Sequence, residues 1–170
     1  SQITDLSGCC LTLLVIDNFS GNYVCANVGD VDAIQVSDTS FWSITTSHRL
    51  QHNAFERMRL QAHIRHMSSE TDPPRPVGPP RLYPGGLSCS RSIGDADAPY
   101  ISCLPDICTG NLPSNGAIVI ASDGLWDFAS ANKVAKRCNK TFNPEFVAKE
   151  ARESTDDVTV VIITACPIRS

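Results

Sequence analysis

Two short stretches put carboxylates where strands should stop. In AIVIASDGLWDF, residues 117–128, an apolar run passes straight into Asp123-Gly124, and Asp127 follows Trp126. In STDDVTVVII, residues 154–163, Asp156 and Asp157 stand immediately before a run of mostly β-branched residues. If the two runs pair as antiparallel strands, the end of one lies beside the start of the other, and Asp123 meets Asp156 at one sheet edge. Carboxylates brought together repel, and one is pushed towards its protonated form unless a cation sits between them. Hard divalent ions such as Mg²⁺ and Mn²⁺ take oxygen ligands of this kind. The plainer alternative is a pair of unrelated turn residues, because Asp bonds its own backbone and Gly accepts positive φ. Spacing alone leaves both open.

Other residues carry weaker signals. Asp30 follows ANVG and Asp95 follows RSIG, so each reads as a turn acid with a structural or supporting role. Arg91, in SCSRSIGD, suits either an anion or a buried acid. His63 and His66 stand three apart in HIRHM, but no neighbouring acid or thiol completes a ligand set, which favours a solvated helix face. His48 and His52 give no further signal. There is no G-x-S-x-G elbow and no P-loop. Cys25, Cys89 and Cys166, among eight cysteines, lie in apolar surroundings, and no C-x-x-C pair occurs. That usage points to reduced thiols and a cytoplasmic or nuclear compartment.

The elements that must position these residues follow from the periodicity. LTLLVID (11–17) and NYVCANV (22–28) read as a hairpin around NFSG, and DAIQV (32–36) and FWSIT (41–45) continue the meander. Residues 52–64 are predicted to be helical, with Phe55, Met58, Ala62 and Leu60 on the apolar side and Glu56, Arg57, Arg59 and Gln61 elsewhere. Six prolines between residues 73 and 84 argue against a helix or a central strand, so residues 68–85 are expected to form a loop or exposed flap. LSCS and DICTG are short strand candidates, AIVIAS is the clearest strand, and DVTVVIITA closes the chain as another. SANKVAKRC and NPEFVAKEARES read as helices, the second with Asn143 as N-cap and Pro144 at the first helical position. The pattern predicts an α+β fold with a largely antiparallel sheet, in a single domain over residues 1–170.

The order of five stretches resembles the protein phosphatase 2C family of metal-dependent serine/threonine phosphatases. They are GCCLTLLVI (8–16), ANVGDVDAI (26–34), PGGLSCSRSIGD (84–95), IASDGLWDF (120–128) and STDDVTVVII (154–163). The resemblance implies a β-sandwich flanked by helices in α/β/β/α layers, incomplete here on its N-terminal side. It implies two Mg²⁺ or Mn²⁺ ions, with Asp123 and Asp156 as ligands and Asp127 at a weaker third site. Gly124 would let the turn approach the metals, and Asp30, Asp95 and Arg91 would play supporting roles. The family's Asp-Gly-His-Gly segment, with a further ligand and the histidine thought to be the general acid, is expected upstream, so no catalytic acid is assigned within these residues. Ser47 stands where the family has the aspartate of Asp-His-Lys-Pro, and Asp157 where it has asparagine. The implied activity is hydrolysis of phosphoserine and phosphothreonine in a phosphoprotein substrate, with this chain by itself weak or inactive. The alternative is a pseudophosphatase-type binding module using its Pro-rich segment, which suits grooves for extended peptides.

Composition fits a globular domain. The chain has 170 residues, 42% of them apolar and 19% charged, enough for a sizeable core. A net charge of −4 gives no basic face for nucleic acid or anionic lipid. No apolar run reaches the roughly 20 residues of a membrane helix. A monomer is expected.

Overall fold

The computed structural model describes residues 6–38, 40–68 and 76–165. Among the described residues, eleven strands and four α-helices run in the order β1 (Gly8–Cys9), β2 (Leu11–Ile16), β3 (Asn22–Val28), β4 (Asp32–Ser37), β5 (Phe41–Ser43), α1 (Ala54–Leu60), β6 (Ile64–Ser68), β7 (Pro76–Leu82), β8 (Ile93–Gly94), β9 (Asp106–Asn111), β10 (Gly116–Ala121), α2 (Asp123–Trp126), α3 (Ala131–Cys138), α4 (Pro144–Ala148) and β11 (Val160–Thr164). A 3₁₀ turn over Lys149–Ala151 extends α4. The chain divides into two compact units, one of residues 1–11, 28–30 and 47–104 and the other of residues 12–27, 31–46 and 105–170.

The larger unit is built on a four-stranded sheet in the order β11-β10-β4-β5 and a three-stranded sheet in the order β2-β3-β9. β10 is central and antiparallel to both neighbours, with Val119 opposite Ile34 on one side and Ile162 on the other. Its residues are apolar on both faces because both are covered. Ala117, Val119 and Ala121 pack with Val134, Ala135 and Cys138 of α3 and Val147 of α4. On the opposite face, Ile118 and Ala33 pack with Tyr23 and Cys25 of β3 and with Leu14 and Ile16 of β2. Each fully buried Val or Ile here contributes about 1.5–3 kcal/mol. This is an α+β antiparallel sandwich with helices packed on its four-stranded sheet.

Local chemistry sets the helix starts. Ser130 accepts from the Lys133 amide and Asn143 from the Glu145 amide, and Pro144 occupies the first turn of α4. In the hairpin β2–β3, Asp17 accepts from the Phe19 amide and the Ser20 hydroxyl, and Gly21 takes φ 73°. The outward residues of β2, β3 and β9 are apolar. Leu13, Val15, Val24 and Ile107 are 45–60% exposed, and among the described residues no helix of this unit covers them.

The smaller unit packs Leu50, Leu60 and Leu82 against Ile64 and Ile101. Two sequence expectations are corrected here. The helix runs only from Ala54 to Leu60, with Asn53 accepting from the Glu56 amide, and Ile64 already begins β6. Of the expected apolar side only Leu60 is buried. Phe55 and Met58 are exposed, whereas Glu56 is buried beside Leu60. Glu56 can be buried because Arg59 and Arg91 pair with it. His63 therefore leaves the helix face, and its ring stacks on Tyr100 at 3.4 Å between centroids. The Pro-rich segment was expected to be irregular. Residues 69–75 lie outside the described residues, but Pro76–Leu82 forms β7, antiparallel to β6 in a two-stranded ribbon. A ribbon has only edge strands, where a missing proline N–H costs least.

Candidate functional site

The site begins with the ladder between β10 and β11. Its last pair is Ala121 with Val160, and the Ser122 amide extends it by donating to the Thr159 carbonyl at 3.1 Å. The strand ending at Ala121 and the strand beginning at Val160 thus share one edge. Asp123 leaves the first directly, and Asp156 and Asp157 lead into the second. The antiparallel premise set out from the sequence is met.

Serines build the corner. The Ser122 hydroxyl donates to the Asp157 carbonyl at 3.1 Å and accepts from the Thr159 amide at 3.0 Å. Across the gap, the Asp156 amide donates to Ser154 Oγ at 3.1 Å, and the Asp157 amide donates to Asp156 Oδ1 at 2.8 Å. Neither serine carries a strong signal in the sequence. The available signal was Ser at an N-cap in ASDG and Ser two residues before an acid in STD, both marks of side-chain-to-backbone turns.

Gly124 is dictated by contact. A Cβ there would stand 2.4 Å from the Asp157 carbonyl oxygen. Only a residue without a side chain lets the first turn of α2 press against the approach to β11. Trp126 holds α2 from the other side, its Nε1–H donating to the carbonyls of Asp32 at 3.1 Å and Ala121 at 2.9 Å. Asp127 caps the C-terminal end of α2 through its amide, which reaches the Asp123 carbonyl. Asp123 is half-buried, while Asp127, Asp156 and Asp157 are exposed. Four aspartates thus lie on two adjoining segments at this strand end, and their carboxylates offer oxygen alone. The chemistry fits a hard divalent cation. Asp123, Asp127 and Asp156 do not draw three ligand atoms to within 4.8 Å of one another, as only Cys10, Asp30 and Cys89 do among the described residues.

The remaining named residues all lie in the smaller unit. Arg91 donates to Glu56 Oε1 at 3.1 Å and to the Leu104 carbonyl at 2.9 Å, so an acid rather than an anion faces it. Asp95 takes φ 51° and accepts the Ser92 hydroxyl. Asp30 Oδ2 accepts the Cys89 thiol at 2.9 Å. His48 is fully buried and shows a role its sequence did not suggest: Nδ1 accepts from the Gly29 amide at 3.0 Å, and its carbonyl accepts from the Ser90 amide at 2.9 Å.

The model for the family described as "Protein phosphatase 2C" matches residues 1–158. The chain belongs to the protein phosphatase 2C family. It is 35% identical over 176 residues to "Probable protein phosphatase 2C 5" of Arabidopsis thaliana, covering 98% of this chain and 41% of that protein. It is also 35% identical over 173 residues to "Probable protein phosphatase 2C 33" of Oryza sativa subsp. japonica, covering 96% of this chain and 40% of that one. The chain thus spans about two fifths of these protein phosphatase 2C relatives. Among solved structures, a C. elegans sex-determining protein superposes with a TM-score of 0.72 at 23% identity, over 92% of this chain and 40% of that chain. A serine-threonine phosphatase 2C from Toxoplasma gondii gives a TM-score of 0.66 at 16% identity, over 93% and 58%. At these identities the structural likeness speaks for the protein phosphatase 2C fold alone.

Proposed function

We propose that this chain contributes the Asp123–Asp156 corner of a metal-dependent protein serine/threonine phosphatase. One observation carries the reading: the β10–β11 register sets these acids on adjoining segments at one strand end, with Gly124 pressed against Asp157. Asp123 and Asp156 would hold Mg²⁺ or Mn²⁺, with Asp127 at a weaker third position. Bound there, the ions would supply Lewis acidity toward a phosphoryl group and acidify the attacking water. Ser122 and Ser154 fix the backbone from which the acids project, and Trp126 fixes the short helix that begins at Asp123. No residue of this chain is assigned as general acid, so the 170-residue chain is expected to turn over phosphopeptides weakly by itself.

A second reading, a binding module that retains the fold without turnover, is favoured by Ser47. In place of the family's acid it has a hydroxyl that accepts from the Arg49 amide at 3.5 Å.

Mn²⁺ line broadening of the ¹⁵N-labelled chain tests the metal corner without relying on activity. Broadening is expected at residues 122–127 and 154–159 and should vanish in Asp123→Asn. Broadening elsewhere, or none, overturns the assignment. Strong Mn²⁺-dependent turnover of a phosphothreonine peptide that survives Asp123→Asn would refute it as well.

A further inference from the structure

Three segments far apart in sequence converge in the smaller unit on Cys10, Asp30 and Cys89, whose ligand atoms all lie within 4.8 Å of one another. The convergence is built into the backbone. Gly29 takes φ 104°, and a Cβ there would stand 2.2 Å from Cys10 Sγ, so the chain reaches Asp30 by passing directly against that thiol. Cys89 is buried and held in place by a bridge between its own backbone and that of Arg49. Beside the three residues is a cavity of ≈ 210 Å³, also lined by Gly8, Ser92 and Asp95. A lone thiol–carboxylate hydrogen bond would need neither the second sulfur nor the cavity.

We propose that Cys10, Asp30 and Cys89 form a binding site for a thiophilic divalent cation of the zinc class. Zn²⁺ takes Cys sulfur at about 2.3 Å and carboxylate oxygen at about 2.0–2.2 Å. Ligand atoms around one such ion therefore stand about 3.5–4 Å apart, a span this triad brackets. The Cys89–Asp30 contact of 2.9 Å opens by a small side-chain rotation as the ion enters. Both thiol protons leave to the buffer, and two thiolates and one carboxylate face a dication. The cavity admits water to the fourth position, as in sites with three protein ligands. Two soft sulfurs make the set a poor host for Mg²⁺. The inference stands apart from the Asp123–Asp156 reading, which uses oxygen ligands only.

Co²⁺ added to the reduced 170-residue chain is the direct probe. About one equivalent should produce thiolate-to-cobalt charge-transfer absorption, which Zn²⁺ abolishes by displacement and a large excess of Mg²⁺ does not. Cys10→Ser and Cys89→Ser should each remove the band, whereas Cys103→Ser, at an exposed thiol, and Asp123→Asn should keep it. A second measurement stays on the unsubstituted chain, because substitution at buried Cys89 can unfold it. In peptide-resolved alkylation, Zn²⁺ should slow modification of Cys10 by about tenfold when the free metal stands tenfold above its dissociation constant, while Cys103 reacts unchanged. Absence of the band together with absence of protection overturns the proposal. So does a band that survives both cysteine substitutions, or equal protection of Cys10 and Cys103.

Discussion

The charge buried at Glu56 sets a measurable acid limit on the smaller unit. Its side chain is 2% exposed and pairs with Arg91 at 3.1 Å and with Arg59 one helical turn on. Burial alone would push this carboxyl up, but hydrogen bonds from Arg59, Ser90 and Arg91 outweigh it and bring it from 4.5 down to about 2. A carboxyl depressed in the folded state stabilises that state above its unfolded pKa and loses the contribution as pH falls through the folded value. The difference is worth about 3 kcal/mol, at about 1.4 kcal/mol per pH unit, and it should disappear between about pH 5 and pH 2. Glu56→Gln removes the titration and the charge that Glu56 offers half-buried Arg91, at a cost of about 1–3 kcal/mol near neutrality. Urea unfolding at a series of pH values, with hydrogen exchange at the Leu50 and Leu60 amides to report this unit, separates the two effects. The unsubstituted chain should lose about 3 kcal/mol more than Glu56→Gln over that window. Parallel pH profiles for the two proteins would show that Glu56 does not titrate as an ion-paired group, and the reasoning would fail.

Gly124→Ala drives a methyl to 2.4 Å from the Asp157 carbonyl, so stability should fall by about 1–3 kcal/mol by thermal unfolding, with loss of Mn²⁺ broadening at residues 154–159. Trp126→Phe keeps much of the ring but deletes the donor shared by the Asp32 and Ala121 carbonyls, which should cost about 1–3 kcal/mol by urea denaturation. On the outer face of β2, Val15→Thr removes exposed apolar surface; light scattering should show less self-association, with stability changed by no more than about 0.5 kcal/mol.

What could be read from the sequence was what local rules determine. The hairpin around Gly21, the strand AIVIA, the Asn143-Pro144 helix start and the acids flanking β10 and β11 each depend on a few neighbouring residues. In each case period, turn chemistry and capping agree. The segments carrying Asp123 and Asp156 could be set at one strand end in advance because both bracket strands whose antiparallel adjacency was the simplest topology. Helix α1 could not be read in this way. Its pattern of Phe55, Met58 and Leu60 fits an apolar face, yet Phe55 is 75% exposed and Met58 73% exposed while Glu56 is buried. What decides it is the pair of cations, Arg59 on the same helix and Arg91 thirty-five positions away, because a carboxylate enters the interior only where a cation meets it.

The Cys10–Asp30–Cys89 convergence has the same character. Each residue alone reads as a small hydrophobe or a turn acid, and no spacing rule links three segments this far apart. Gly29 is the one local trace: its φ of 104° and its contact with Cys10 require a residue without a side chain. Before the fold is known, that glycine is indistinguishable from one needed only for a turn. The side chains in this chain therefore divide by range. Acids at the ends of neighbouring strands can be placed from the strand ends, whereas thiols, acids and counterions assembled from distant loops become visible only through the packing that brings them together.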